Sequence, residues 1–462
     1  MLSQRYQGPE SDCSSHATTF MRIAVLPLEL LIEIVTTVAW EEPLAPLRLR
    51  LVCRWWRDIV DASPSVWQRL SFGDDVAISQ ARAVLWMRRS IPLPIDIDLH
   101  ITDSDMLLAH LSPLFPCIDR WRRLTLHGAW ELQFDEVSMA PTLLQTMFVD
   151  LRDHELVDDI DLPSFTRCTS RPGTFSVNLR MSQLPDPHLL IPLRFTYLNI
   201  RETDFMPSQT HPFHLLSFLT MFPALQSFSF TGRPHDNDLR HWTLPPVNLP
   251  DLHTLHLRST CSVRAILSHI DTPQLRVLHL HHLNVHFQLL GADVTPPEPG
   301  DSDDEANDIS RSPWSDLATG MGLRSLITRC NPPIKVLEMN FSDMRTKDFM
   351  FVFNRLQTLQ EFLIVASDMS DTVINLLKPC RPRDGRAGEW MLRLPRLRRF
   401  ELFNCERLTG PAIVNAFSKR VTFTDQNMSD TLCEVSVVRC DGFKTDDGHA
   451  LSKVLGRRFR FD

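Results

Sequence analysis

The chain has 462 residues, 43% of them hydrophobic and 23% charged, and a formal net charge of −8. These values lie near the averages of globular proteins and exclude wholesale disorder, while only 15 glycines argue against an enzyme built on glycine-rich phosphate loops. Seven acids and no Lys or Arg fall between residues 291 and 310, and without these seven the charge of −8 becomes −1. A nearly neutral remainder gives no case for nucleic acid or an anionic membrane as a partner.

The ten cysteines are scattered singly, with no CxxC pair, which is typical of a reducing compartment. Pro27 and Glu29 interrupt the apolar run from Ile23 to Leu31, so no signal-peptide pattern is present. No segment reaches the ~18 apolar residues of a membrane helix. We therefore expect a cytoplasmic or nuclear protein.

Residues 1–22 lack periodicity and are predicted to be a disordered tail. Pro27 suits the first turn of a helix, which continues with apolar residues at helical spacing: Leu28, Leu31, Ile32 and Val35. A second apolar stripe runs from Leu47 to Val60, and Ser63 and Pro64 begin a short third helix. Three short helices cannot enclose all these large side chains, so we expect another polypeptide to cover them.

This segment resembles the F-box over residues 23–72, through an LPxELL start, a VCxxW middle and a final Val66-Trp67. The resemblance implies docking onto a Skp-type adaptor and, through it, cullin and RING subunits of a ubiquitin ligase. It assigns the adaptor contacts to Leu26, Pro27, Leu30, Ile34, Leu47, Val52, Cys53, Trp56 and Trp67. Trp55 departs from the family, in which a basic residue is more frequent. The alternative is an ordinary helical subdomain packed on its own chain.

After a connecting helix predicted for residues 73–90, a six-residue phrase of the form apolar-x-x-apolar-x-apolar recurs. The phrase begins at Trp121, Leu144, Phe165, Phe195, Leu225, Leu252, Leu275, Ile334, Leu359, Leu397 and Leu432. Most of the spacings are near those of leucine-rich repeats, although the Asn typical of such repeats is mostly absent. Residues 91–462 therefore resemble an irregular leucine-rich-repeat solenoid, a strand-lined horseshoe whose first strand is Pro94–Ile101. The phrase at Phe165 is the poorest match.

The predicted fold class is therefore α/β, with an N-terminal three-helix F-box followed by the solenoid. An acidic, proline-rich segment at residues 291–313 interrupts the repeats and is predicted to be a disordered insertion. Ser302 within it suits an acidophilic kinase, although a solvated spacer is the simpler interpretation.

Histidines cluster at His253, His256, His279, His281, His282 and His286. The strand register predicts that His256 and His279 occupy equivalent outward positions of neighbouring repeats, and with His281 they could hold a metal. We find no acid or cysteine at a matching outward position close by, so we predict neither a metal nor another cofactor. No nucleophile elbow, P-loop or pair of acids stands out, so we expect no enzymatic activity from the chain itself.

Outward strand positions change from basic to acidic along the repeats. The early ones are Arg123, His127, Arg167, Arg171, Arg201, His256, Arg258, His279 and His281. The late ones are Glu338, Glu361, Glu401 and Glu434, while Asp150 and Arg399 break the pattern. A concave surface of this polarity could orient a client protein through Arg123, Arg201, His256, Arg258, His279, His281, Glu338 and Glu401. The alternative is ordinary solvation of strand faces.

The resemblance thus implies the substrate-recognition subunit of an SCF-type ubiquitin ligase, which binds its adaptor through the F-box and an unidentified client through the repeats. Two alternatives remain open. One is a protein-interaction scaffold that directs no degradation, and the other is an enzyme that uses the histidine cluster.

Overall fold

The computed structural model divides the chain into two compact units, Met1–Thr125 and Leu126–Asp462. The residues it describes are 26–101, 107–128, 145–151, 176–181, 184, 195–202, 210–232, 245–259, 263–281, 318–340, 344, 346–367, 369–381, 390–427 and 431–461. The predicted tail, residues 1–22, and the predicted insertion, residues 291–313, lie outside these ranges. The unit boundary falls later than the expected start of the repeats at residue 91.

The first unit begins with the predicted helical segment and continues with short strands and further helices. The stretch from Leu47 to Val60, predicted as one helix, is divided between two helices, and the predicted third helix is a 3-10 turn. In chain order its elements are α1 (Leu28–Glu41), α2 (Ala45–Leu49), α3 (Arg54–Ala62), a 3-10 turn (Pro64–Trp67), β1 (Arg69–Phe72), α4 (Val76–Arg89), β2 (Ile95–Ile101), α5 (Leu107–Leu111) and a second 3-10 segment (Ser112–Arg120). Strand β3 (Trp121–Gly128) contains the boundary between the units. Pro27 precedes α1 as expected, and the side chain of Asp75 caps α4 by accepting the backbone N–H of Ile78. Helix α4 lies where the connecting helix was predicted.

The parallel strands begin earlier than the sequence analysis predicts, because β1 pairs with β2 and lies within the predicted F-box. Arg69 lies opposite Asp96 and Leu70 opposite Ile97. The stretch from Trp67 to Phe72, WQRLSF, has the same apolar spacing as the repeating phrase. Its three apolar residues are all buried. Pro94–Ile101 is therefore not the first strand, as we had predicted.

His110 of α5 provides a test of the first unit's packing, because it is 1% exposed and its ring lies 6.2 Å from that of Phe72. Burial lowers the pKa of His110 from 6.5, against the opposing effect of Asp74 and Asp75. The unfolded chain therefore takes up this proton at a higher pH than the folded chain does. We expect the stability that depends on neutral His110 to be complete above pH 6.5 and to fall on acidification, by at most about 1.4 kcal/mol per pH unit.

The measurement is urea unfolding of wild type and His110→Leu across this pH range, with His449→Leu, a change at an exposed histidine of the second unit, as control. The His110 variant should show a flatter dependence on pH, and the control should keep the wild-type slope. Equal slopes in all three proteins would show that His110 does not contribute.

The second unit alternates strands with helices. Its strands are β4 (Thr146–Leu151), β5 (Ser176–Met181), β6 (Tyr197–Glu202), β7 (Ser227–Thr231), β8 (Val247–Asn248), β9 (Thr254–Arg258), β10 (Ile270–Asp271), β11 (Val277–His281), β12 (Val336–Asn340), β13 (Glu361–Val365), β14 (Arg399–Phe403), β15 (Glu434–Val438) and β16 (Phe459–Phe461). Its helices are α6 (Pro212–Thr220), α7 (Val263–His269), α8 (Ala318–Cys330), α9 (Thr346–Arg355), α10 (Asp371–Asn375), α11 (Gly410–Gln426) and α12 (Thr445–Leu455). None of these described helices, nor those of the first unit, is long and apolar enough to span a membrane.

Strands β8 and β10 form a separate parallel pair, and the other strands of this unit lie side by side in chain order. Every pairing from β4 to β16 is parallel. Successive residues alternate between buried and half-exposed positions, as in Phe228 and Phe230 of β7, whose neighbours Ser227 and Ser229 point the other way. The predicted α/β class with a long parallel sheet is confirmed.

One strand, β5, was not predicted. The strand between β4 and β6 is Ser176–Met181, whereas the phrase at Phe165 lies outside the described residues. Val177 and Leu179 of β5 are buried in the expected alternation. The phrase was missed here because Thr174 stands where its first apolar residue should be.

Two repeats end in the same way. After β14 and β15 the backbone passes through a left-handed residue, Asn404 with φ of 53° and Arg439 with φ of 50°. A buried cysteine follows each, and the backbone N–H of Cys405 donates to Sγ of Cys440 at 3.4 Å. These cysteines occupy the position that takes Asn or Cys in leucine-rich repeats, so the missing Asn is replaced rather than simply lost.

The helices pack in sequence from α6 to α12, each on the next. Arginines join some of these neighbours through backbone carbonyls. Arg329 of α8 donates to the carbonyls of Leu267 and Ser268, at 3.1 and 2.7 Å, where α7 ends. Such donors satisfy carbonyls that a helix end leaves without an intrahelical partner. Arg420 of α11 is 1% exposed and donates to the carbonyls of Leu377 and Arg393 at 3.2 and 2.9 Å.

Candidate interaction sites

Helix α1 has two apolar faces rather than one. Leu31, Val35 and Ala39, spaced four residues apart, are at most 3% exposed and form the inner face. Leu30, Ile34 and Val38 have the same spacing on the outer side and remain 48%, 48% and 37% exposed. Because residues four apart lie on one side of a helix, the outer residues form a continuous apolar stripe. The inner stripe already packs α1 against the rest of the unit, so folding of this unit does not bury the outer stripe.

Further large apolar side chains are exposed close by in the sequence. Together with the outer stripe they form a set that we call the exposed apolar set: Leu26, Leu30, Ile34, Val38, Leu51, Val52 and Trp55. Six predicted adaptor contacts are exposed, namely Leu26, Pro27, Leu30, Ile34, Val52 and Cys53. Leu47 and Trp56 are half-buried. The exposed residues Val38, Leu51 and Trp55 were not singled out by the sequence analysis, although the spacing from Ile34 could have indicated Val38.

Trp67 is the predicted adaptor contact that the structure places elsewhere. It is fully buried, its ring lies 4.8 Å from that of Trp86 at 80°, and its Nε1–H donates to the carbonyl of Val60 at 2.7 Å. A side chain enclosed in this way cannot contact an adaptor. Trp67 therefore belongs to the core of the first unit.

The helical segment is also fixed by charge. Asp61 accepts Nη2 of Arg50 at 3.2 Å and Nη2 of Arg89 at 3.0 Å, which ties α3 to the end of α4. A carboxylate shared by two guanidiniums restrains both elements. The helical segment that carries the exposed apolar set is therefore held in place by contacts within its own chain.

The second candidate site lies on the outward face of the sheet in the second unit. The strand register arranges outward residues in rows that cross the sheet. The central row contains Asn178, Asn199, Ser229, His256, His279, Glu338, Leu363, Glu401, Ser436 and Arg460. The next row toward the carboxyl ends contains Arg180, Arg201, Thr231, Arg258, His281 and Asn340. His279 pairs with His256, as the sequence predicts.

Four of these residues form a His–Glu cluster: His256, His279, His281 and Glu338. Nδ1 of His279 lies 2.7 Å from Oε2 of Glu338, and Nε2 of His281 lies 2.9 Å from Oε1 of the same carboxylate. Nε2 of His256 lies 3.2 Å from Nδ1 of His281. One carboxylate therefore bridges two imidazoles, and the third imidazole contacts the far side of one of them.

Burial, together with the positive forms of His281 and His279, lowers the pKa of His256 to about 4. Desolvation disfavours the charged imidazolium, and two neighbouring imidazoles add like-charge repulsion. His256 is therefore neutral at pH 7, with one ring nitrogen that donates and one that accepts.

The cluster corrects one sequence inference, namely that no acid occupies a matching outward position near the histidines. Glu338 is directly opposite His279 in the register of β11 and β12. The two strands are neighbours in space although the segment 282–317 separates them in the chain. Sequence distance concealed this pairing, because the insertion adds residues without adding a strand between β11 and β12.

The acidic end of the outward face is largely neutralised. Nη2 of Arg399 lies 2.5 Å from Glu401, and its guanidinium is 3.8 Å from Glu361 and 3.7 Å from Glu434. Arg460 lies 3.1 Å from Glu434. The predicted gradient from basic to acidic therefore has little unbalanced negative charge at its late end.

Exposed positive charge on this face is carried by two arginines. Arg201 and Arg258 are exposed, and within the described ranges neither takes part in a salt bridge. Arg123 is also exposed, but it belongs to the first unit. Arg167 and Arg171 lie outside the described residues. Positive charge for a partner of the second unit thus comes from the row that holds Arg201 and Arg258.

No family model matches the chain, and no curated protein does. Among solved structures, the crystal structure of a complex of TLR13 with ssRNA13 is similar, with 12% sequence identity and a TM-score of 0.40. The similarity covers 81% of this chain and 43% of that one, so this chain spans less than half of that protein's length. The fold described above rests on strand register and burial.

Proposed function

We propose that this chain is the substrate-recognition subunit of an SCF-type ubiquitin ligase. A Skp-type adaptor binds helices α1 to α3 and links the chain to cullin and RING subunits, while a client protein binds the outward face of the sheet. The chain contributes proximity, because tethering raises the effective concentration of the client's lysines near the ubiquitin-charged partner. The chemistry belongs to the other subunits.

The observation that carries this proposal is the exposed outer stripe of α1, beside an inner stripe that is already buried. Soluble proteins rarely leave large apolar side chains clustered on the surface unless a partner covers them. The exposed apolar set includes four of the nine residues that the F-box resemblance assigns to the adaptor, namely Leu26, Leu30, Ile34 and Val52. Cys53, a fifth, is also exposed.

The direct test is co-expression of the full chain with a Skp-type adaptor, followed by size-exclusion chromatography. We expect both proteins to elute together in equal amounts. Separate elution would overturn the proposal. A stable complex whose bound client keeps the same half-life with and without an intact F-box segment would indicate a scaffold that directs no degradation.

Client binding has its own prediction. Reversing the charges of Arg201 and Arg258 to Glu should weaken client capture by about tenfold or more and leave adaptor binding unchanged, because both side chains are exposed on the outward face. Clients would first be identified by affinity purification and mass spectrometry from wild type. Quantitative pull-down of an identified client then compares the two proteins.

The matched control reverses two exposed arginines outside the strands, Arg396→Glu and Arg457→Glu, which changes the net charge by the same amount. The control should capture the client as wild type does. Equal capture by all three proteins would show that these arginines do not contact the client.

A further inference from the structure

The His–Glu cluster has an arrangement that the proposed function does not use. His279 and His281 are two residues apart on β11, so both rings project from the same face of the sheet. Glu338 reaches the same point from the neighbouring strand. One ligand atom from each of these three residues lies within 4.8 Å of the others.

We propose that His279, His281 and Glu338 bind a zinc ion on the outward face of the sheet. Zinc in proteins accepts imidazole nitrogens and carboxylate oxygens at about 2.0–2.2 Å, whereas magnesium and calcium select oxygen ligands. Two nitrogens and one oxygen therefore favour zinc over those two ions. The inference is independent of the receptor role and is tested by separate measurements.

The existing distances require only a small adjustment for a metal. Tetrahedral zinc separates its ligand atoms by about 3.4 Å. The nitrogens of His279 and His281 now lie 2.7 and 2.9 Å from the oxygens of Glu338. The side chains must therefore move apart by roughly half an ångström, which rotation about their side-chain bonds provides. All three side chains retain between 14% and 25% exposure, so an ion can reach them.

His256 is a positioning residue for this site. When His281 binds a metal through Nε2, its proton resides on Nδ1, and that N–H points to Nε2 of His256 at 3.2 Å. A hydrogen bond from the second ring nitrogen fixes the tautomer and orientation of a metal-binding histidine. The contact therefore favours the form of His281 that offers its Nε2 lone pair to zinc.

Three protein ligands leave one tetrahedral position open. Structural zinc sites usually have four protein ligands, whereas an open position accepts water or a group from another molecule. The site thus takes zinc with a water molecule, which a carboxylate, imidazole or thiolate of a bound protein can replace. Arg258, which pairs with His281 in the register, would lie beside such an anionic group.

The test uses the full chain, stripped with EDTA and titrated with ZnCl2 by isothermal calorimetry, with zinc content measured by mass spectrometry after desalting. Wild type should retain about one zinc per chain. His279→Ala and Glu338→Gln should lose this retained zinc, and His449→Ala, at an exposed histidine of α12, should keep it. Glu338→Gln is nearly isosteric, and circular dichroism shows whether each variant is folded.

Two further readouts identify the ligands. Cobalt in place of zinc should give the visible absorption of a tetrahedral nitrogen and oxygen site in wild type but not in Glu338→Gln. His256→Leu should weaken zinc binding roughly tenfold, and His256→Gln, which keeps a hydrogen-bond acceptor, should restore part of it. If folded wild type retains no more zinc than folded Glu338→Gln, the cluster is only a hydrogen-bonded group and the proposal is wrong.

Discussion

We expect Ile34→Asp to abolish co-purification of a Skp-type adaptor while the chain remains folded. Ile34 is 48% exposed on the outer stripe of α1, so the change removes no core contact. In a complex with the adaptor, the same change would bury a carboxylate in an apolar contact and lose the burial of the isoleucine side chain, which costs several kcal/mol. The affinity should fall by at least about 100-fold.

Ile78→Asp is a closely matched control. Ile78 is 47% exposed and lies in the first turn of α4, where an acid is well tolerated because of the helix dipole. Both variants carry the same substitution at similarly exposed helical positions of the first unit. Adaptor affinity measured by surface plasmon resonance should drop for Ile34→Asp alone. If the two variants bind equally well, the outer stripe of α1 is not the adaptor contact.

Trp67→Ala should destabilise the first unit by about 3–5 kcal/mol. The substitution removes a fully buried indole, its contact with Trp86 and the hydrogen bond to the carbonyl of Val60. The expected loss is large because the cavity is enclosed and the carbonyl of Val60 keeps only the N–H of Ser63 as a donor. Urea unfolding followed by circular dichroism measures the change.

Trp55→Ala provides the comparison, since Trp55 is 41% exposed in the same helical segment. This variant should unfold within about 0.5 kcal/mol of wild type yet bind the adaptor more weakly. The two variants distinguish a tryptophan that packs in the core, Trp67, from one that we expect to contact a partner, Trp55. The opposite pattern, with a stable Trp67→Ala and a destabilised Trp55→Ala, would contradict the assignment of Trp67 to the core.

The sequence was sufficient for features that depend on short-range periodicity. Apolar spacing located α1, the stretch that contains α2 and α3, most strands and the relation between His256 and His279. The same local pattern was present in WQRLSF, but its residues had already been assigned to the helical segment, so the burial of Trp67 was missed. A pattern shared by two interpretations cannot by itself decide between them.

Features that depend on which strands pair in three dimensions were harder to predict from the sequence. Glu338 reaches His279 only because the chain returns to the adjacent strand after the segment 282–317. Likewise, the neutralising position of Arg399 among three glutamates follows from the register of β13, β14 and β15. Which of two apolar stripes on α1 faces inward also depends on packing, because both have the same helical spacing.

The arginines that join successive helices affect how the second unit can be shortened. Arg420 supplies donors to carbonyls at Leu377 and Arg393, which precede its own helix in the chain. A version that stops before α11 would remove these donors and leave an earlier part of the array with unmet carbonyls, so the damage would extend beyond the deleted residues. A C-terminal truncation should therefore keep α11, the helix that carries Arg420.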